Sequence, residues 1–508
     1  MRAWGQRPFL GVLLGFLLLC PAVFLTASTS QQPNVLFIAV DDLKDWVNCL
    51  GGYEGVVHTP NIDRLANQAT LFSNAHCPSP KCGPSRASIL TGRRPSSTGI
   101  YDNGHWWYPH QPEVKTIPAY FREHGYRVAG AGKIFHHTAG FNPPNQWDDF
   151  RRLTFTNDPW FRGVELNYPW SQTSPFPQGF PFSGVAGLGH ENDWGVVPKD
   201  SSQHDDQLSV DYAVSFLNQK HTQPFFLACG LFRPHLPWYV PQRFFDLYPL
   251  ESIVLPEIAK DDLADVPEAG QRLAADRRGD FETIRRANAW RLAVRAYLAS
   301  ISFVDAMVGQ LLAALHQSPY ADNTLVVLWS DHGWHLGEKD HWHKSTLWEE
   351  STRVPFIIQS PSIKSGICRQ PVSLINLFPT LIELCQLPPL SGLDGVSLLP
   401  LLVEKDRNWT RPAITEFRKG NVALRTHRYR YIRYADGGEE LYDHHSDAYE
   451  WKNLAGDDRY REVVERLRRQ SEYQWAPVAP GKSAYLFDPL SYSWTQKKTG
   501  RVIFGRDG

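Results

Sequence analysis

Ionisable side chains follow four apolar segments of the chain, each within a few residues of the segment's end. The segments begin at Asn34, Tyr126, Pro224 and Thr324. The ionisable residues that follow them are Asp41 and Asp42, Lys133 and His136, Arg233 and His235, and Asp331 and His332. A single polar residue after a strand is often only the cap of the next helix. In open α/β sheets, however, functional sites lie beyond the carboxyl ends of the strands. Four such endings therefore predict one polar site at that edge of a sheet.

Three of these residues indicate a cation site. Asp41, Asp42 and Asp331 would lie close together, and like charges at short range resist joint ionisation unless a cation compensates them. Carboxylate oxygens favour Ca²⁺ or Mg²⁺ over softer metals, and zinc stays an alternative because His332 adds a nitrogen ligand. For each pair of residues taken alone, a capped loop is the simpler interpretation.

A cysteine at the start of a predicted helix offers a nucleophile. In CGPSRASILTGRRP, from Cys82 to Pro95, the Pro-Ser-Arg begins the helix and Gly92 is its predicted stop. A helix N-terminus beside Arg86 favours anions, and a cysteine placed there can be an activated thiolate. A buried structural cysteine beside a capping Ser85 explains the same residues equally well.

Strands that alternate with helices must position these residues. The four apolar segments and a fifth, which begins at Pro355, have the length and apolarity of buried parallel strands. Helical patterns separate them: HTPNIDRLANQA, SVDYAVSFLNQK, a long AWRLAVRAYLASISFVDAMVGQLLAALHQ and LINLFPTLIELCQL. This alternation predicts an α/β fold with a mostly parallel sheet covered by helices.

Two regions depart from that alternation. From Phe141 to Asp200 the chain is rich in Pro, Gly, Asn, Trp and Phe, and we interpret it as an ordered insertion near the site. From about Asp394 onward, four segments alternate like antiparallel strands, and REVVERLRRQSEYQW has a helical pattern. The sequence therefore predicts three parts: a signal peptide over 1–30, a catalytic domain over 31–393, and a small C-terminal α+β subdomain with an antiparallel sheet over 394–508.

Composition limits the partners and the compartment. The formal net charge is -1, from 52 basic and 53 acidic residues, which argues against a nucleic-acid partner. Arg2 and Arg7 precede an apolar run and then small residues, the pattern of a secretory signal peptide; a retained membrane anchor is the alternative. No later segment is expected to be apolar enough to span a bilayer, so we expect no stable membrane insertion. The 7 cysteines fit no zinc pattern, and export would permit disulfides without fixing a pairing.

The segment around Cys82 also resembles a known family. C-G-P-S-R followed by T-G-R-R-P matches the signature of type I sulfatases, C-x-P-S-R…T-G-R, whose cysteine is oxidised to formylglycine. The other landmarks of that family occur in the same order: VDD, GK, PH, SDHG and a late HxK. From about Pro33 to Leu387 the chain is similar to the iduronate-2-sulfatase group of the family. The resemblance implies sulfatase activity and an alkaline-phosphatase-like sandwich, with a large mostly parallel sheet between helices.

The same resemblance implies roles for individual residues. The catalytic residues would be Cys82, Arg86, Lys133, His136, His235 and Lys344. One Ca²⁺ per chain would be held by Asp41, Asp42, Asp331, His332 and the residue made from Cys82. The hydrated aldehyde would attack sulfur, and its second hydroxyl would later expel sulfate, a step that a plain Ser or Thr lacks. His235, with Lys344 beside it, would protonate the leaving alcohol, and His136 would be the base. Arg86 would favour the ionised hydroxyl, and Lys133 would neutralise sulfate oxygens.

A substrate and partners follow from the resemblance as well. We expect an exo-acting sulfatase on an acidic sulfated carbohydrate fragment, with 2-O-sulfated uronate favoured, and a formylglycine-generating maturation enzyme in the host. His105, Trp106 and Trp107 are candidates for a sugar-binding wall, although packing of the tryptophans explains them equally well. Export would place the protein in the periplasm or outside the cell of a bacterium, or in the lysosome of an animal.

Two other functions stay open at this point. A phosphomonoesterase or phosphodiesterase of the same superfamily would use Ser or Thr and a two-zinc site. A non-catalytic protein that binds sulfated glycans would keep the scaffold without turnover. The sequence around Cys82 argues against the first, and the complete set of expected catalytic groups argues against the second.

Overall fold

An eight-stranded mixed sheet runs through the centre of the computed structural model, which describes residues 1, 32–153, 181–189, 192–197, 204–275 and 279–506. The strands of these residues are, in chain order, β1 (Asn34–Val40), β2 (Thr70–Phe72), β3 (Ala75–His76), β4 (Arg127–Gly132), β5 (Asp149–Arg151), β6 (Trp194–Val197), β7 (Phe225–Leu231), β8 (Trp238–Pro241), β9 (Thr324–Ser330), β10 (His335–Leu336), β11 (Trp342–His343), β12 (Phe356–Gln359), β13 (Gly366–Cys368), β14 (Val372–Ser373), β15 (Ala413–Phe417), β16 (Asn421–Arg425), β17 (Tyr429–Arg433), β18 (Glu439–Asp443), β19 (Tyr485–Asp488), β20 (Ser493–Gln496) and β21 (Val502–Phe504). The order across the central sheet is β13-β2-β12-β9-β1-β7-β4-β5.

Most neighbouring strands of this sheet are parallel. β1 is parallel to β7 and β9, and β4 is parallel to β7 and β5. The register places Val40 beside Leu231 and Ser330, so the chain leaves β1, β7 and β9 at one edge of the sheet. Four of the five predicted strands therefore run parallel. The fifth, β12, is buried as predicted but runs antiparallel to β9 and β2, which corrects that part of the prediction.

Helices cover both faces of the sheet. In chain order they are α1 (Pro60–Asn67), α2 (Cys82–Thr91), α3 (Pro95–Thr98), α4 (Trp107–His110), α5 (Ile117–Glu123), α6 (Asp205–Leu217), α7 (Gln242–Phe245), α8 (Glu268–Ala274), α9 (Asp280–Arg286), α10 (Trp290–Gln317), α11 (Glu349–Thr352), α12 (Leu377–Leu384), α13 (Leu399–Val403) and α14 (Arg461–Ser471). In β1, Leu36 and Ile38 belong to the core shared with α1, α6 and α10, whereas Val35 and Phe37 belong to the core shared with α2, α5 and α12. One continuous apolar strand serves both cores because successive side chains point to opposite faces.

The longest helix, α10, is part of the first of these cores. Of the described helices, only α10 is long and apolar enough to cross a membrane, so the expectation that no later segment has this composition is wrong. However, 72% of its most apolar window is buried inside the protein. A helix enclosed by a sheet and other helices is expected to be apolar around most of its circumference, which accounts for the composition.

The C-terminal part contributes a second sheet. β15, β16, β17 and β18 form a four-stranded antiparallel sheet in sequence order, as predicted, and Val464 and Leu467 of α14 pack against it. The last three strands, β19 to β21, form an antiparallel sheet that the sequence analysis missed. By its contacts, Pro33–Gly508 forms one compact unit, and the boundary at Asp394 stays a prediction.

Two sequence predictions fall largely on residues outside the described ranges. The predicted signal peptide over 1–30 is described only at Met1. The predicted insertion from Phe141 to Asp200 is described over 141–153, 181–189 and 192–197. Within those ranges, β5 joins the central sheet and β6 pairs in parallel with β8.

Candidate active site

The turn after β1 carries two fully buried carboxylates, Asp41 and Asp42. Asp42 has a left-handed backbone with φ of 58°, a conformation that Asp tolerates better than most residues. Its carbonyl accepts a hydrogen bond from the Tyr297 hydroxyl of α10 at 2.8 Å, and its amide donates to Asp331 Oδ1 at 3.1 Å. The long core helix and the end of β9 therefore hold this turn in place.

Cys82 is the first residue of α2. In the first turn of that helix, the Ser85 hydroxyl donates to the Asp331 carbonyl at 2.6 Å, and the Gly83 amide donates to Asn103 Oδ1 at 2.8 Å. Cys82 is 1% exposed. The Ser85 contact fastens the start of α2 to the loop after β9, and Cys82 lies at the helix N-terminus, where anions are favoured.

The Arg86 guanidinium links two of the carboxylates. Its Nη2 donates to Asp41 Oδ1 at 3.0 Å, and its Nε donates to Asp331 Oδ2 at 2.8 Å. Its Nη1 donates to the carbonyls of Lys133 and Ile134. The side chain is fully buried, and only a planar guanidinium can make all of these contacts at once. Arg86 therefore acts on the site through Asp41 and Asp331.

Two lysines approach the sulfur of Cys82. Lys344 Nζ lies 3.1 Å from Sγ, and Lys133 Nζ lies 3.8 Å from it. Lys344 also donates to both carboxylate oxygens of Asp42, at 2.6 and 2.8 Å, and Lys133 donates to Asp41. The two ammonium groups create a positive environment around the reactive position, which suits a sulfate ester.

Two glycines allow the turn that carries Lys133 to lie close to the end of β7. A Cβ on Gly132, whose φ is 77°, would meet the Gly230 carbonyl oxygen at 1.9 Å. A Cβ on Gly230 would in turn meet backbone atoms of Lys133 at 2.3 Å. A larger residue at either position would push the ends of β4 and β7 apart and move Lys133 away from the site.

His332 and the carboxylates supply the ligand atoms of a metal site. The contact of His332 Nδ1 with the Gly333 carbonyl at 3.0 Å assigns the proton to Nδ1 and leaves Nε2 as an acceptor. Nε2 lies 3.2 Å from Cys82 Sγ and 3.3 Å from Asp42 Oδ1. Two overlapping sets have ligand atoms within 4.8 Å of one another: Asp42, Cys82, Asp331 and His332, and Asp41, Asp42, Cys82 and His235. Several buried carboxylates and one imidazole fit a hard divalent cation.

Burial and neighbouring charges act differently on the three carboxylates. Burial raises the pKa of Asp42 to about 7; Lys344 opposes the rise and Asp41 adds to it. Burial also raises the pKa of Asp331, but Arg86, His332 and Lys133 together outweigh burial and hold this pKa well below its usual range. The pKa of Asp41 is lowered in the same way. Asp42 is therefore the carboxylate that the protein's own cations compensate least, and a bound divalent cation would compensate it.

His235 lies on the loop after β7. Its Nδ1 lies 2.5 Å from the Leu236 carbonyl, which assigns the proton to Nδ1, and its Nε2 lies 3.8 Å from Asp42 Oδ2. Burial, and then the charges of Lys133 and Lys344, lower the pKa of His235 well below its usual value. The ring is therefore neutral in the free protein, and an anion between the lysines would favour its protonated form.

His136 lies on the loop after β4. Its Nδ1 is 3.0 Å from the Thr138 hydroxyl and accepts a hydrogen bond from the Thr138 amide at 3.5 Å. Burial, and then His137, lower the pKa of His136 well below its usual value, which suits a base. Within the described part of the chain no hydrogen bond joins His136 to Cys82, although both line the same cavity.

That cavity has a volume of about 490 Å³. Its described lining contains four Lys or Arg residues, four His residues, and no Asp or Glu. The basic residues are Lys81, Arg272, Lys344 and Arg418, together with His136, His137, His235 and His343. The lining also contains apolar side chains, namely Phe232, Leu236, Trp334 and Phe417. Such a lining favours an anion attached to a partly apolar body.

The predicted sugar-binding wall does not line this cavity. Trp106 and Trp107 are only 8% and 3% exposed. Trp106 Nε1 donates to the Ala139 carbonyl at 3.0 Å, and Trp107 Nε1 donates to the Phe141 carbonyl at 2.8 Å. His105 Nδ1 accepts a hydrogen bond from a backbone amide of its own turn. The tryptophans therefore have the packing role that was the alternative interpretation of these residues.

The cavity contains polar residues that the sequence analysis did not select. His343, which precedes Lys344 in the sequence, has its Nε2 2.6 Å from Asp280 Oδ2. Arg272 comes from α8, and Arg418 follows β15 in the C-terminal sheet. Neither arginine belongs to a recognisable motif, because only the folded chain brings α8 and the C-terminal sheet to this cavity.

Comparisons with known families and structures agree with the fold. The profile of the family described as Sulfatase matches residues 33–387, and the profile described as N-sulphoglucosamine sulphohydrolase, C-terminal, matches residues 337–475. The solved structure of a phosphonate monoester hydrolase of Agrobacterium radiobacter has a TM-score of 0.72 at 21% identity, and covers 94% of this chain and 100% of its own. The predicted alkaline-phosphatase-like sandwich is therefore confirmed.

Curated relatives identify the family more closely. A protein named Sulfatase from Formosa agariphila is 38% identical over 484 residues, which cover 93% of this chain and 92% of that protein. Iduronate 2-sulfatase of Homo sapiens is 34% identical over 409 residues, which cover 73% of this chain and 71% of that protein. With the matched family profile and the cysteine, carboxylates and lysines in one buried cluster, the chain belongs to the type I sulfatase family and is a sulfuric ester hydrolase.

Proposed function

We propose that this sulfatase uses formylglycine, made from Cys82, to remove a terminal sulfate from an acidic sulfated carbohydrate, with 2-O-sulfated uronate as its substrate. The observation that carries the proposal is the position of Cys82. It lies between two lysine ammonium groups, next to three buried carboxylates, on a cavity whose described lining has no acidic residue. An anionic ester is the ligand that such a cavity favours.

The thiol itself is a poor nucleophile at this position. Burial raises the pKa of Cys82, and the two lysines, Lys133 and Lys344, offset this only in part. When the aldehyde is present, its hydrate supplies an oxygen nucleophile and a second hydroxyl whose collapse releases sulfate. The proposal therefore requires a maturation enzyme in the host that acts on the C-G-P-S-R segment. The export pattern at the N-terminus leads us to propose an exported protein as well.

Asp41, Asp42, Asp331 and His332 would hold one Ca²⁺ together with the oxygen at position 82. The cation would supply charge that favours an ionised oxygen at that position. Arg86 keeps two of these carboxylates in place through its Nε and Nη2 contacts. Lys344 orients Asp42 from the other side with its two short contacts.

Proton transfer falls to the two histidines on the cavity. His235 donates its proton to the leaving alcohol when the sulfate ester between Lys133 and Lys344 has restored its protonated form. His136 is neutral in its buried position and takes a proton when sulfate is released. Lys133 and Lys344 bind sulfate oxygens, since both lie within 4 Å of the reactive sulfur atom of Cys82.

The substrate proposal rests on the cavity and on a relative. The human relative that is 34% identical is named iduronate 2-sulfatase, whose substrate is a sulfated uronic acid by its name. A cavity of about 490 Å³ lies within the range of about 300–1,000 Å³ that small ligands occupy. Asn192, from the described part of the predicted insertion, lines one wall. An insertion that closes one side of the cavity would admit a chain end rather than the middle of a polysaccharide.

The test compares four substrates: terminal and internal 2-O-sulfates, each on a uronate-containing and on a neutral oligosaccharide. Released sulfate and the mass of the desulfated product are measured. We expect the terminal sulfated uronate to react fastest. Faster cleavage of neutral or internal sulfates would overturn the substrate proposal and leave the sulfatase chemistry intact.

The two alternative functions make different predictions. A phosphatase of this superfamily would contain two tightly bound zinc ions and would hydrolyse phosphate monoesters or diesters in preference to sulfates. A non-catalytic glycan-binding protein would bind sulfated oligosaccharides without releasing sulfate. Metal analysis together with one assay of sulfate and phosphate release separates the three.

A further inference from the structure

The cavity has basic residues that the sulfate group does not need. Lys344 contacts Cys82, whereas Arg272 and Arg418 line the cavity from α8 and from the turn after β15. We propose that Arg418, assisted by Arg272, forms a second anion subsite that binds the carboxylate of the sulfated sugar. This inference rests on the proposed function, because it concerns the same cavity and the same substrate.

Of the four Lys and Arg residues in the described lining, Arg418 is the one that has no acidic partner. Lys81 pairs with Asp102 at 3.0 Å, and Lys344 pairs with Asp42. In the part of the chain that the structure describes, the Arg418 side chain has no ion pair or hydrogen bond. The exposed guanidinium lies 5.4 Å from the centre of the Phe417 ring. An anion that enters the cavity therefore meets at least one positive charge that no protein carboxylate compensates.

The backbone presents Arg418 to the cavity. Its φ is 55°, in the left-handed region, at the start of the turn between β15 and β16. The preceding residue, Phe417, is 1% exposed and belongs to the core beneath the C-terminal sheet. The buried Phe417 ring fixes the backbone of Arg418 at the edge of the cavity. The guanidinium therefore loses less conformational entropy when it binds an anion.

Arg272 can assist because its own partners are exposed. It contacts Glu268 Oε1 at 2.5 Å and Asp436 Oδ2 at 3.0 Å. The Glu268 side chain is 82% exposed, and ion pairs at such exposed positions contribute little. A substrate carboxylate in the cavity can displace these exposed acidic partners and pair with Arg272. No buried ion pair has to break for this exchange.

A carboxylate is the anion that this pair of side chains fits best. The planar guanidinium forms two parallel hydrogen bonds with a carboxylate, whereas a lysine supplies only a point charge. Lysines lie next to Cys82, and arginines reach the cavity from α8 and from the turn after β15. The two sets of basic groups thus differ in the geometry of the anion that they favour.

The experiment measures KM and kcat of the matured enzyme on a 2-O-sulfated uronic acid monosaccharide and on its carboxyl-reduced hexose counterpart. Arg418→Gln should raise KM for the uronate by about 10- to 100-fold, the effect of one charged hydrogen-bonding partner, and leave KM for the hexose unchanged. Arg272→Gln should raise KM for the uronate by a smaller factor. The kcat values should stay close to those of the wild type, because neither arginine contacts the reacting atoms.

Arg433→Gln is the matched control. Arg433 lies on β17 of the same sheet, pairs with Glu472 at 3.7 Å and does not line the cavity, so it should leave both substrates unaffected. Thermal unfolding of each variant checks that the fold is intact. An equal rise in KM for both substrates with Arg418→Gln, or no rise, would overturn the inference.

Binding of the free uronic acid and the free hexose, measured by calorimetry, gives the same comparison without turnover. The wild type should bind the uronic acid more tightly, and Arg418→Gln should remove the difference. If the wild type binds the uronic acid in this way but releases no sulfate, the proposed substrate is wrong and the carboxylate subsite stands. Equal binding of the uronic acid by both proteins contradicts the subsite whatever the turnover.

Discussion

Charged residues buried in this site depend on partners that come from distant parts of the chain. Asp41 and Asp42 are adjacent in sequence, yet Arg86 and Lys133 hold the first and Lys344 holds the second. The residues after the strands were predictable, because polar groups at strand ends stand out against apolar runs. Their ion-pair partners were not predictable, because folding decides which basic side chain lies next to which carboxylate oxygen.

The proposed role of His235 as the general acid predicts that its effect depends on the leaving group. His235→Gln should slow the hydrolysis of an alkyl or sugar sulfate by about 10²- to 10⁴-fold, the usual contribution of a general acid. The loss should be much smaller for 4-nitrophenyl sulfate, because 4-nitrophenolate leaves without a proton. Initial rates on both substrates provide the measurement.

The control for this comparison is His316→Gln. His316 is exposed near the end of α10, and its variant should behave like the wild type on both substrates. Equal losses on the two substrates would show that His235 supports binding or folding rather than proton donation.

The carboxylate cluster predicts one Ca²⁺ per chain. Removal of the metal with a chelator should abolish sulfate release and lower the midpoint of thermal unfolding, and added Ca²⁺ should restore both, because a ligand that binds only the folded state stabilises it. Asp42→Ala should lower activity and remove the response of the unfolding midpoint to Ca²⁺. Elemental analysis that finds two zinc ions in active protein would contradict this and support the phosphatase alternative.

At the scale of elements, apolar patterns predicted which segments are buried but not how they run. PFIIQS forms β12 and is buried as expected, but it is antiparallel to β9. An unbroken apolar run shows that both faces of a strand are covered, and carries no information about its direction. The final strands, β19 to β21, were missed because they are short and several of their side chains, such as Leu486 and Phe504, are exposed.

The start of α6 predicts a dependence of stability on pH. His204 is its N-cap, and its ring nitrogen accepts a hydrogen bond from the Asp206 amide. Burial, and then the charge of Arg233, lower the pKa of His204 to about 3, and the Asp206 carboxylate lies 3.6 Å from the ring. The pKa of His204 is lower in the folded state than in the unfolded state, where it is near 6.5. The contribution of the neutral ring to the free energy of unfolding is therefore complete above pH 6.5 and is lost as the pH falls towards 3.

His204→Asn keeps a capping oxygen but does not titrate. Between pH 7.5 and pH 5 its free energy of unfolding should fall by about 2 kcal/mol less than that of the wild type, at about 1.4 kcal/mol per pH unit below 6.5. Denaturant titrations at the two pH values measure this difference. The exposed residue His427 gives the control His427→Asn, which should follow the wild type; parallel losses in His204→Asn and the wild type would contradict the assignment.

At the scale of the whole molecule, the C-terminal sheet is joined to the catalytic part by buried charges. Arg430 of β17 pairs with Glu349 of α11 and with Glu450, and donates to the Leu347 carbonyl. Buried pairs of this kind are costly to break from one side, so they fix how the two parts meet. The same arrangement brings Phe417 and Arg418 to the cavity, which is why no local sequence pattern could reveal them.

The central claim is that the active protein carries an aldehyde at position 82. The most direct measurement is mass spectrometry of the peptide that contains Cys82, taken from protein that releases sulfate, together with its reaction with a hydrazide. We expect the mass of a residue in which an aldehyde has replaced the thiol-bearing carbon, labelling by the hydrazide, and almost no turnover in Cys82→Ser. Fully active protein whose peptide contains only the unmodified thiol would contradict it.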